Sequence, residues 1–251
     1  MDWLGLHGRR AVVAGAGGIG GAAAIALAGA GATVVVVDVD QERLDAVSLA
    51  AHEAGTAVRT KAADLTDAAA ARTAVEDAAA SLGGLDVFVH AVGVNDRRPV
   101  LETPDEVWAR IISVNLDSAF WTARAAGALM VEAGCGRIVF LSSVSGLLAH
   151  ADHAPYAATK GAVNQLCRVM AREWAAHGVT VNAVAPGYTE TALTSAHLDK
   201  PGVRDGLTAL VPAGRLGTVD DLVGPILFLC SDQAAFVTGH VLYVDGGRTL
   251  V

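Results

Sequence analysis

The sequence is poor in cysteine and in positive charge. Its only cysteines among 251 residues are Cys135, Cys167 and Cys230. An odd, widely spaced set predicts neither a disulfide framework nor a four-ligand zinc site. Lys and Arg number 18 against 26 Asp and Glu, a net charge of -8, which disfavours nucleic acid or an anionic membrane surface as the main partner. We therefore expect a small-molecule partner and no metal.

Long apolar runs and linkers are also missing. No stretch of about 20 uninterrupted apolar residues occurs, and residues 1–8 lack a basic region followed by an apolar stretch. These absences predict a cytoplasmic protein with no membrane partner. No Pro/Gly/Ser-rich linker divides the chain, so we expect one catalytic domain over residues 1–251.

Hydrophobic residues make up 53% of the chain, but aromatic residues only 5%. Ala and Val supply most of the apolar content, which suits helices packed on a parallel sheet. Short apolar runs alternate with segments of helical period, the pattern of repeated β–α units. The predicted strands are 11–14, 34–37, 57–62, 85–90, 137–141, 179–184 and 240–244, and the predicted helices are 19–30, 41–54, 67–82, 104–132, 155–177 and 218–230. The fold class is therefore α/β, a single-domain, Rossmann-type, doubly wound parallel sheet of seven strands flanked by helices. Residues 187–217 break the alternation and are predicted to form a substrate loop.

A glycine-rich segment follows the first predicted strand. Gly15, Gly17 and Gly20 form the pattern G-x-G-x-x-G, with Gly18 and Ile19 between them, at the start of a predicted helix. In this setting the pattern binds dinucleotides, because glycines let backbone N–H groups approach a pyrophosphate whose charge the helix N-terminus stabilises. The alternative is a plain glycine turn that packs a helix on a strand, and an acidic residue downstream favours the dinucleotide site.

That acidic residue is Asp38, which closes the apolar run 34–37. A carboxylate at this place accepts hydrogen bonds from ribose hydroxyls and repels a 2′-phosphate. No Arg or Lys occurs between Gly15 and Asp38 to bind such a phosphate. We therefore predict NAD(H) as the cofactor. The alternative role for Asp38 is a helix cap, for which Asp40 is better placed.

Tyr156 and Lys160 share one face of a predicted helix. Free tyrosine, with a pKa of about 10, is a poor acid or base near neutrality, and a fixed ammonium beside it favours the phenolate. Taken alone, Y-x-x-x-K is more often a surface pair. Ser143 adds context because it follows the strand 137–141, and carboxyl ends of strands bind ligands in open α/β sheets. We predict that Tyr156 transfers a proton and that Ser143 holds a substrate carbonyl.

In order and spacing, the glycine segment, Asp38, Ser143, Tyr156, Lys160 and Pro186-Gly187 resemble the short-chain dehydrogenase/reductase family across nearly the whole chain. The resemblance implies that Asn115, Ser143, Tyr156 and Lys160 are catalytic, with Asn115 supporting a water that relays protons to Lys160. It implies cofactor contacts at Asp64 towards the adenine and at Thr189 towards the nicotinamide carboxamide and phosphates, and further contacts at Leu65, Ala91, Gly93, Tyr156, Lys160, Pro186 and Gly187.

Two segments depart from the family pattern. The glycine loop usually has the form T-G-x-x-x-G-x-G, whereas residues 14–20 lack the threonine and are one residue shorter. The usual N-N-A-G segment is replaced by residues 90–93, His-Ala-Val-Gly. His90 either takes the place of the missing asparagine or packs in the core.

Other segments look like gluconate 5-dehydrogenases and 2-deoxygluconate 3-dehydrogenases within the family, namely 96–99, 185–188, 212–217 and the C-terminal segment. Arg97 and Arg98 follow the strand 85–90, and a guanidinium fork matches a sugar-acid carboxylate. The alternative is that both are solvated loop charges or subunit contacts. His153 and Tyr188 are also predicted substrate contacts. A metal site at the polar cluster around His153 is disfavoured, because tyrosine chemistry needs no metal.

We expect an NAD(H)-dependent oxidoreductase that interconverts a secondary alcohol and a ketone, on a sugar acid or polyol. The alternatives are a 3-oxoacyl reductase and a non-catalytic NAD-binding regulatory protein. The resemblance further implies a homotetramer, since the family commonly pairs the helices that carry Asn115 and Tyr156. The side chains expected to pack there are Ala119, Phe120, Ala123, Ala126, Ala162, Leu166, Val169 and Met170.

Overall fold

The computed structural model describes residues 2–251. Its seven strands form one parallel sheet in the order 3-2-1-4-5-6-7. The strands are β1 (Arg10–Ala14), β2 (Thr33–Asp38), β3 (Arg59–Ala62), β4 (Val87–His90), β5 (Gly136–Leu141), β6 (Val179–Pro186) and β7 (Val241–Val244). The predicted fold class, including the strand count, is confirmed.

Helices cover both faces of the sheet. They are α1 (Gly18–Gly29), α2 (Gln41–Glu53), α3 (Ala68–Leu82), α4 (Asp105–Ile112), α5 (Ser118–Ala133), α6 (Ala154–Trp174), α7 (Ala192–Leu198), α8 (Val203–Thr208) and α9 (Asp220–Cys230). Asp40 begins α2 by accepting hydrogen bonds from the backbone N–H groups of Glu42 and Arg43, so it is the cap that its position predicts.

The strands are apolar on both faces because a helical layer buries each face. In β1, Val12 and Ala14 contact the layer that contains α3, α5 and α6. Ala11 and Val13 contact the opposite layer, which contains α1, α2 and α9. Alternate residues of one strand thus serve two separate cores, which is why the strands appear as continuous apolar runs in the sequence.

One predicted helix is interrupted. The stretch 104–132 divides into α4 and α5, with a π-helical turn at Ser113–Asp117 between them. The wider turn places Asn115 inside the protein. Its side chain there forms hydrogen bonds with both the backbone N–H and the backbone carbonyl of Val94. Such turns are frequent at functional sites, and apolar periodicity does not reveal the single extra residue.

The predicted substrate loop at 187–217 is more regular than expected, because it contains the short helices α7 and α8. Backbone hydrogen bonds join its two ends. Gly217 N donates to Tyr188 O at 2.8 Å, and Glu190 N donates to Gly217 O at 2.9 Å. The segment therefore returns to its own starting point and stands over the carboxyl end of β6. Within residues 2–251, every helix is too short or too polar to cross a membrane.

Candidate active site

A cleft of about 650 Å³ opens at the carboxyl edge of the sheet. It lies where β1 is flanked by β2 on one side and β4 on the other, so that successive connections leave in opposite directions. Such switch points bind ligands in open α/β sheets. The predicted residues that line it are Gly15, Gly17, Gly18, Ile19, Asp38, Asp64, Leu65, Ala91, Gly93, Ser143, Tyr156, Lys160, Pro186, Gly187 and Thr189.

The glycine loop joins β1 to α1 at one end of the cleft. Gly15 has a φ of +103°, and a Cβ there would lie 2.8 Å from the carbonyl carbon of Ala91, so only glycine fits. Gly20 does not line the cleft, because it packs against the carbonyl oxygen of Gly15. Helix α1 begins without a side-chain cap and without an acidic residue in its first turn. Its first N–H groups therefore remain available to an anion.

Asp38 stands at the end of β2 and is buried. One carboxylate oxygen accepts from Ala16 N at 2.7 Å, and the other accepts from Asp40 N at 3.0 Å. These bonds anchor the carboxylate on the glycine loop and leave further lone pairs on both oxygens. Asp64 lies nearby in the cleft wall, where hydrogen bonds from Thr66 lower the pKa of its carboxyl group.

Arg43 is a cleft residue that sequence reasoning missed. The segment between Gly15 and Asp38 contains no Arg or Lys, but α2 carries Arg43 back over the glycine loop, where it lines the same end of the cleft. Its guanidinium forms an ion pair with Asp40 at 3.1 Å. A positive group does therefore stand near Asp38, although its charge is already partly neutralised.

Tyr156 and Lys160 both project from α6 into the other end of the cleft. The Lys160 ammonium lies 5.5 Å from the centre of the Tyr156 ring and donates to Leu141 O at 2.7 Å. Ser143, just beyond β5, accepts from Ser145 N at 3.1 Å and also lines the cleft. The structure thus brings the three predicted side chains together at the ends of β5 and α6.

Burial dominates the electrostatics of this pair. It raises the pKa of the Tyr156 phenol, while the Ser143 hydroxyl and the Arg97 charge lower it. Burial also lowers the pKa of Lys160 to about 8. Lys160 is therefore still mainly charged at neutral pH, in a setting where that charge is poorly screened.

Asn115 is buried behind the cleft rather than in its wall. Its Oδ1 accepts from Val94 N at 2.8 Å, and its Nδ2 donates to Val94 O at 2.9 Å. A Cβ on Gly93 would lie 3.6 Å from Asn115 Oδ1 and 3.7 Å from Lys160 Nζ. Asn115 and Lys160 therefore flank Gly93, and Asn115 binds the segment that follows β4.

His90, at the position of the missing asparagine, is buried. Its Nε2 lies 3.0 Å from the Ser118 hydroxyl, and that hydroxyl donates to Val114 O at 2.5 Å. Since the hydroxyl proton is committed to Val114, the imidazole must carry its proton on Nε2 and donate it to Ser118. Burial, with a smaller effect from Lys160, lowers the pKa of His90 to about 3. His90 is therefore a neutral link between β4 and the start of α5.

The four predicted substrate contacts separate into different environments. Arg98 pairs with Asp96, with Nη2 and Oδ2 2.7 Å apart, which occupies its guanidinium. Arg97 Nη1 instead lies 3.5 Å from His153 Nδ1, and the His153 ring stands edge-on to Tyr156 at 6.0 Å. The Tyr188 hydroxyl lies 3.1 Å from His150 Nε2. None of the four borders the main cleft itself.

Comparison with known proteins places this geometry in context. A family model described as enoyl-(acyl carrier protein) reductase matches residues 13–249. The gluconate 5-dehydrogenase of Gluconobacter oxydans (strain 621H) is 38% identical over 250 residues, which cover 99% of this chain and 98% of the relative. The galactitol 2-dehydrogenase (L-tagatose-forming) of Cereibacter sphaeroides is 40% identical over 208 residues, 82% of each chain.

A solved structure agrees over the same length. The gluconate 5-dehydrogenase of Burkholderia cenocepacia J2315, in complex with NADP and tartrate, superposes with a TM-score of 0.94 at 38% identity. The match covers 100% of this chain and 98% of that one. Backbone and sequence therefore match enzymes of one family from end to end.

His90 should make the stability of the protein depend on pH. The unfolded imidazole has its ordinary pKa of 6.5 and the folded one a pKa of about 3, so unfolding takes up a proton below pH 6.5. The stabilisation from His90 is present above that pH and is lost as the pH falls. From pH 7 to pH 5 the free energy of unfolding should fall by about 2 kcal/mol through this effect.

In urea unfolding, His90→Asn should show a smaller loss of unfolding free energy over this range than the original protein. The exposed His177 serves as the control, since His177→Asn should keep the full loss. Equal losses in the original protein and His90→Asn would contradict the assignment.

Proposed function

The chain belongs to the short-chain dehydrogenase/reductase family, and we propose that it is an NAD(H)-dependent oxidoreductase that interconverts a secondary alcohol and a ketone on a sugar acid or polyol. The observation that carries this proposal is the meeting of Tyr156, Lys160 and Ser143 at one end of a cleft whose other end is a glycine loop. Proton transfer and dinucleotide binding then share one continuous space.

The residues of the cleft fit a nicotinamide dinucleotide. The uncapped start of α1 and the open backbone at Gly17 suit a pyrophosphate. Asp38 and Asp64 would hold the adenosine, and Pro186, Gly187 and Thr189 would border the nicotinamide end. The bound nicotinamide supplies the chemistry that the side chains lack, since it accepts or donates the hydride.

In alcohol oxidation, Tyr156 takes the proton from the substrate hydroxyl, while Ser143 donates a hydrogen bond to the same oxygen and orients it. Burial raises the pKa of the phenol, and Ser143 and Arg97 lower it. Lys160, whose ammonium lies 5.5 Å from the ring centre, is proposed to favour the phenolate form through its positive charge. Asn115 maintains the backbone around Gly93, next to the ammonium, and is proposed to support the water that relays protons to Lys160.

A sugar acid or polyol is the proposed substrate class for two reasons. Two relatives that cover most of the chain are named for gluconate and galactitol oxidation, and the Burkholderia structure contains tartrate, a polyhydroxy dicarboxylate. In this chain, Arg97 stands beside Tyr156 with no carboxylate paired to it among the described residues. An acyl thioester offers no anion for this arginine, which makes a 3-oxoacyl reductase the less favoured alternative. A non-catalytic role would leave the Tyr156 and Lys160 pair without a purpose.

Tyr156→Phe tests the proposed chemistry. The substitution removes the phenolic proton carrier and keeps the ring, so kcat should fall by about 10²-fold or more. NADH affinity, measured by fluorescence titration, should be nearly unchanged. Tyr243→Phe is the matched control, because Tyr243 lies in β7 away from the cleft, and it should keep full activity. A Tyr156→Phe enzyme that retains most of its activity would exclude the assignment.

Cofactor choice tests the other end of the cleft. Asp38 favours the ribose hydroxyls of NADH and repels the phosphate of NADPH, whereas Arg43, already paired with Asp40, offsets only part of that repulsion. We expect NADH to bind at least about tenfold more tightly than NADPH, the equivalent of one charged hydrogen bond. Asp38→Ala should narrow the gap, and Arg43→Gln should widen it. Equal binding of the two cofactors by the original protein would contradict NAD preference.

We also propose a homotetramer, in which fewer residues form the contact between subunits than the sequence indicated. Ala119, Ala123, Ala126 and Met170 are buried in the core of the single chain, so they do not form the expected contact. Phe120 and Val169 remain exposed on α5 and α6, and large exposed apolar side chains are typical of subunit contacts. Light scattering at micromolar concentration should give the mass of four chains, and a stable monomer would refute the proposal. Phe120→Glu should weaken the assembly.

A further inference from the structure

We propose that Arg248 and Arg97 together bind the carboxylate of a polyhydroxy acid whose reacting hydroxyl meets Tyr156. The inference rests on the proposed function, because it assigns the charged group of the same substrate. Arg248 lies in the short helical turn Arg248–Leu250, after β7, and sequence reasoning gave it no role.

A row of aromatic rings connects the two arginines to the reaction centre. From Tyr156 the row continues to His153 at 6.0 Å, then to His150 at 5.8 Å, then to Tyr188 at 5.6 Å, measured between ring centres. Arg97 stands against His153, and the guanidinium carbon of Arg248 lies 5.8 Å from the centre of the Tyr188 ring. Both arginine charges lower the pKa of His150, so the two guanidinium groups lie near the same cluster of rings.

The positive charge of this surface belongs to the arginines. Burial lowers the pKa of the His150 and His153 imidazoles, and the arginine charges lower it further, so both rings are neutral at neutral pH. The acidic side chains nearby are mostly engaged. Asp96 pairs with Arg98, and the Asp245 carboxylate accepts from the backbone of Gly247 and Thr249. Asp152, close enough to affect Arg97, is exposed. Arg248 Nη1 donates to Val251 O at 2.7 Å, whereas its buried Nε has no partner within residues 2–251. An anion is therefore favoured beside this unpaired N–H.

Unpartnered polar atoms point to the same place. Among the described residues, four buried side-chain polar atoms lack a hydrogen-bond partner, and three of them are Asn95 Oδ1, His197 Nδ1 and Arg248 Nε. Asn95 precedes the Asp96–Arg97 segment, and His197 is close enough to Arg97 for the two charges to interact. Buried polar atoms are nearly always hydrogen-bonded. Their concentration around one surface indicates a ligand with several polar groups, as a polyhydroxy acid has.

Hydrogen bonds link Ser145, His150 and Tyr188 and orient the Tyr188 hydroxyl for such a ligand. The Ser145 hydroxyl lies 3.0 Å from His150 Nδ1, and His150 Nε2 lies 3.1 Å from the Tyr188 hydroxyl. In one tautomer His150 accepts from the Tyr188 hydroxyl and in the other it donates to it, and in both the Tyr188 oxygen keeps a lone pair that can accept from a substrate hydroxyl. Tyr188 then binds a hydroxyl while Arg248, beside the same ring, binds the charge.

The charge and the hydroxyl groups of the substrate then set the preference of the enzyme. A carboxylate gains contacts with Arg97 and Arg248 that an uncharged polyol of the same length does not make. A short 2-hydroxy acid lacks the further hydroxyls that Tyr188 and the unpartnered polar atoms would bind. The enzyme should therefore prefer a six-carbon polyhydroxy acid over both.

The test compares D-gluconate, D-glucitol and lactate by NAD reduction in the full-length protein. The original enzyme should give its highest kcat/KM with gluconate. Arg248→Gln should lower kcat/KM for gluconate by about tenfold or more, through KM, because a charged hydrogen bond is lost. The loss of kcat/KM with glucitol, which has no carboxylate, should be much smaller. Arg248→Lys, which keeps the charge, should give a kcat/KM for gluconate between those of the original enzyme and Arg248→Gln. It provides the test if Arg248→Gln does not fold. The control is Arg72→Gln, an exposed arginine on α3.

Two results separate this inference from the proposed function. Equal losses with gluconate and glucitol, or no loss with gluconate, would overturn the role of Arg248 and leave the oxidoreductase intact. If no substrate is oxidised, the proposed function fails, and calorimetry of gluconate binding with NADH present decides the inference. Weaker binding by Arg248→Gln than by Arg72→Gln would then support the anion site, and equal binding would overturn it.

Discussion

Two backbone hydrogen bonds hold the carboxyl ends of β2, β1 and β4 together, and the cleft depends on them. Gly15 N donates to Val37 O at 2.7 Å, and Ala91 N donates to Ala14 O at 2.7 Å. The glycine loop thereby lies against the segment that follows β4, where a side chain on Gly15 would collide with Ala91. This contact sets the spacing between the dinucleotide end and the segment that Asn115 holds, and so it aligns two sites that are far apart in sequence.

A second constraint is the burial of charge. Lys160 is buried and donates to the last carbonyl of β5, which ties α6 to the strand end that precedes Ser143. Burying an ammonium is costly unless it is hydrogen-bonded. The bond to Leu141 O meets that condition and keeps the charge 5.5 Å from the centre of the Tyr156 ring. His90, which also feels this charge, remains neutral and bonds to Ser118 instead. Lys160 and Arg97 are therefore the positive charges near the phenol, and His90 adds none.

The site divides into parts that sequence reasoning could and could not locate. Tyr156, Lys160 and Ser143 were predictable because a helix spacing and a strand end place them by local geometry. Arg43 was missed because it reaches the glycine loop from the next helix, and only the packing of α2 on α1 brings it there. Arg98 was offered as a carboxylate contact, but its neighbour Asp96 occupies it, and loop residues carry no periodicity from which such a pairing can be deduced.

The sequence by itself determined the α/β alternation, the parallel sheet and the positions of the glycine loop, since these follow from apolar period and from backbone freedom at single residues. It also placed Asp38 at a strand end. The tertiary structure alone decided that Asn115 stands in a π-helical turn behind the cleft, and that Ala119 and Ala123 serve the core rather than a subunit contact. It alone brought Arg248 to the ring of Tyr188. These placements depend on contacts between segments far apart in the chain, and no local pattern encodes such contacts.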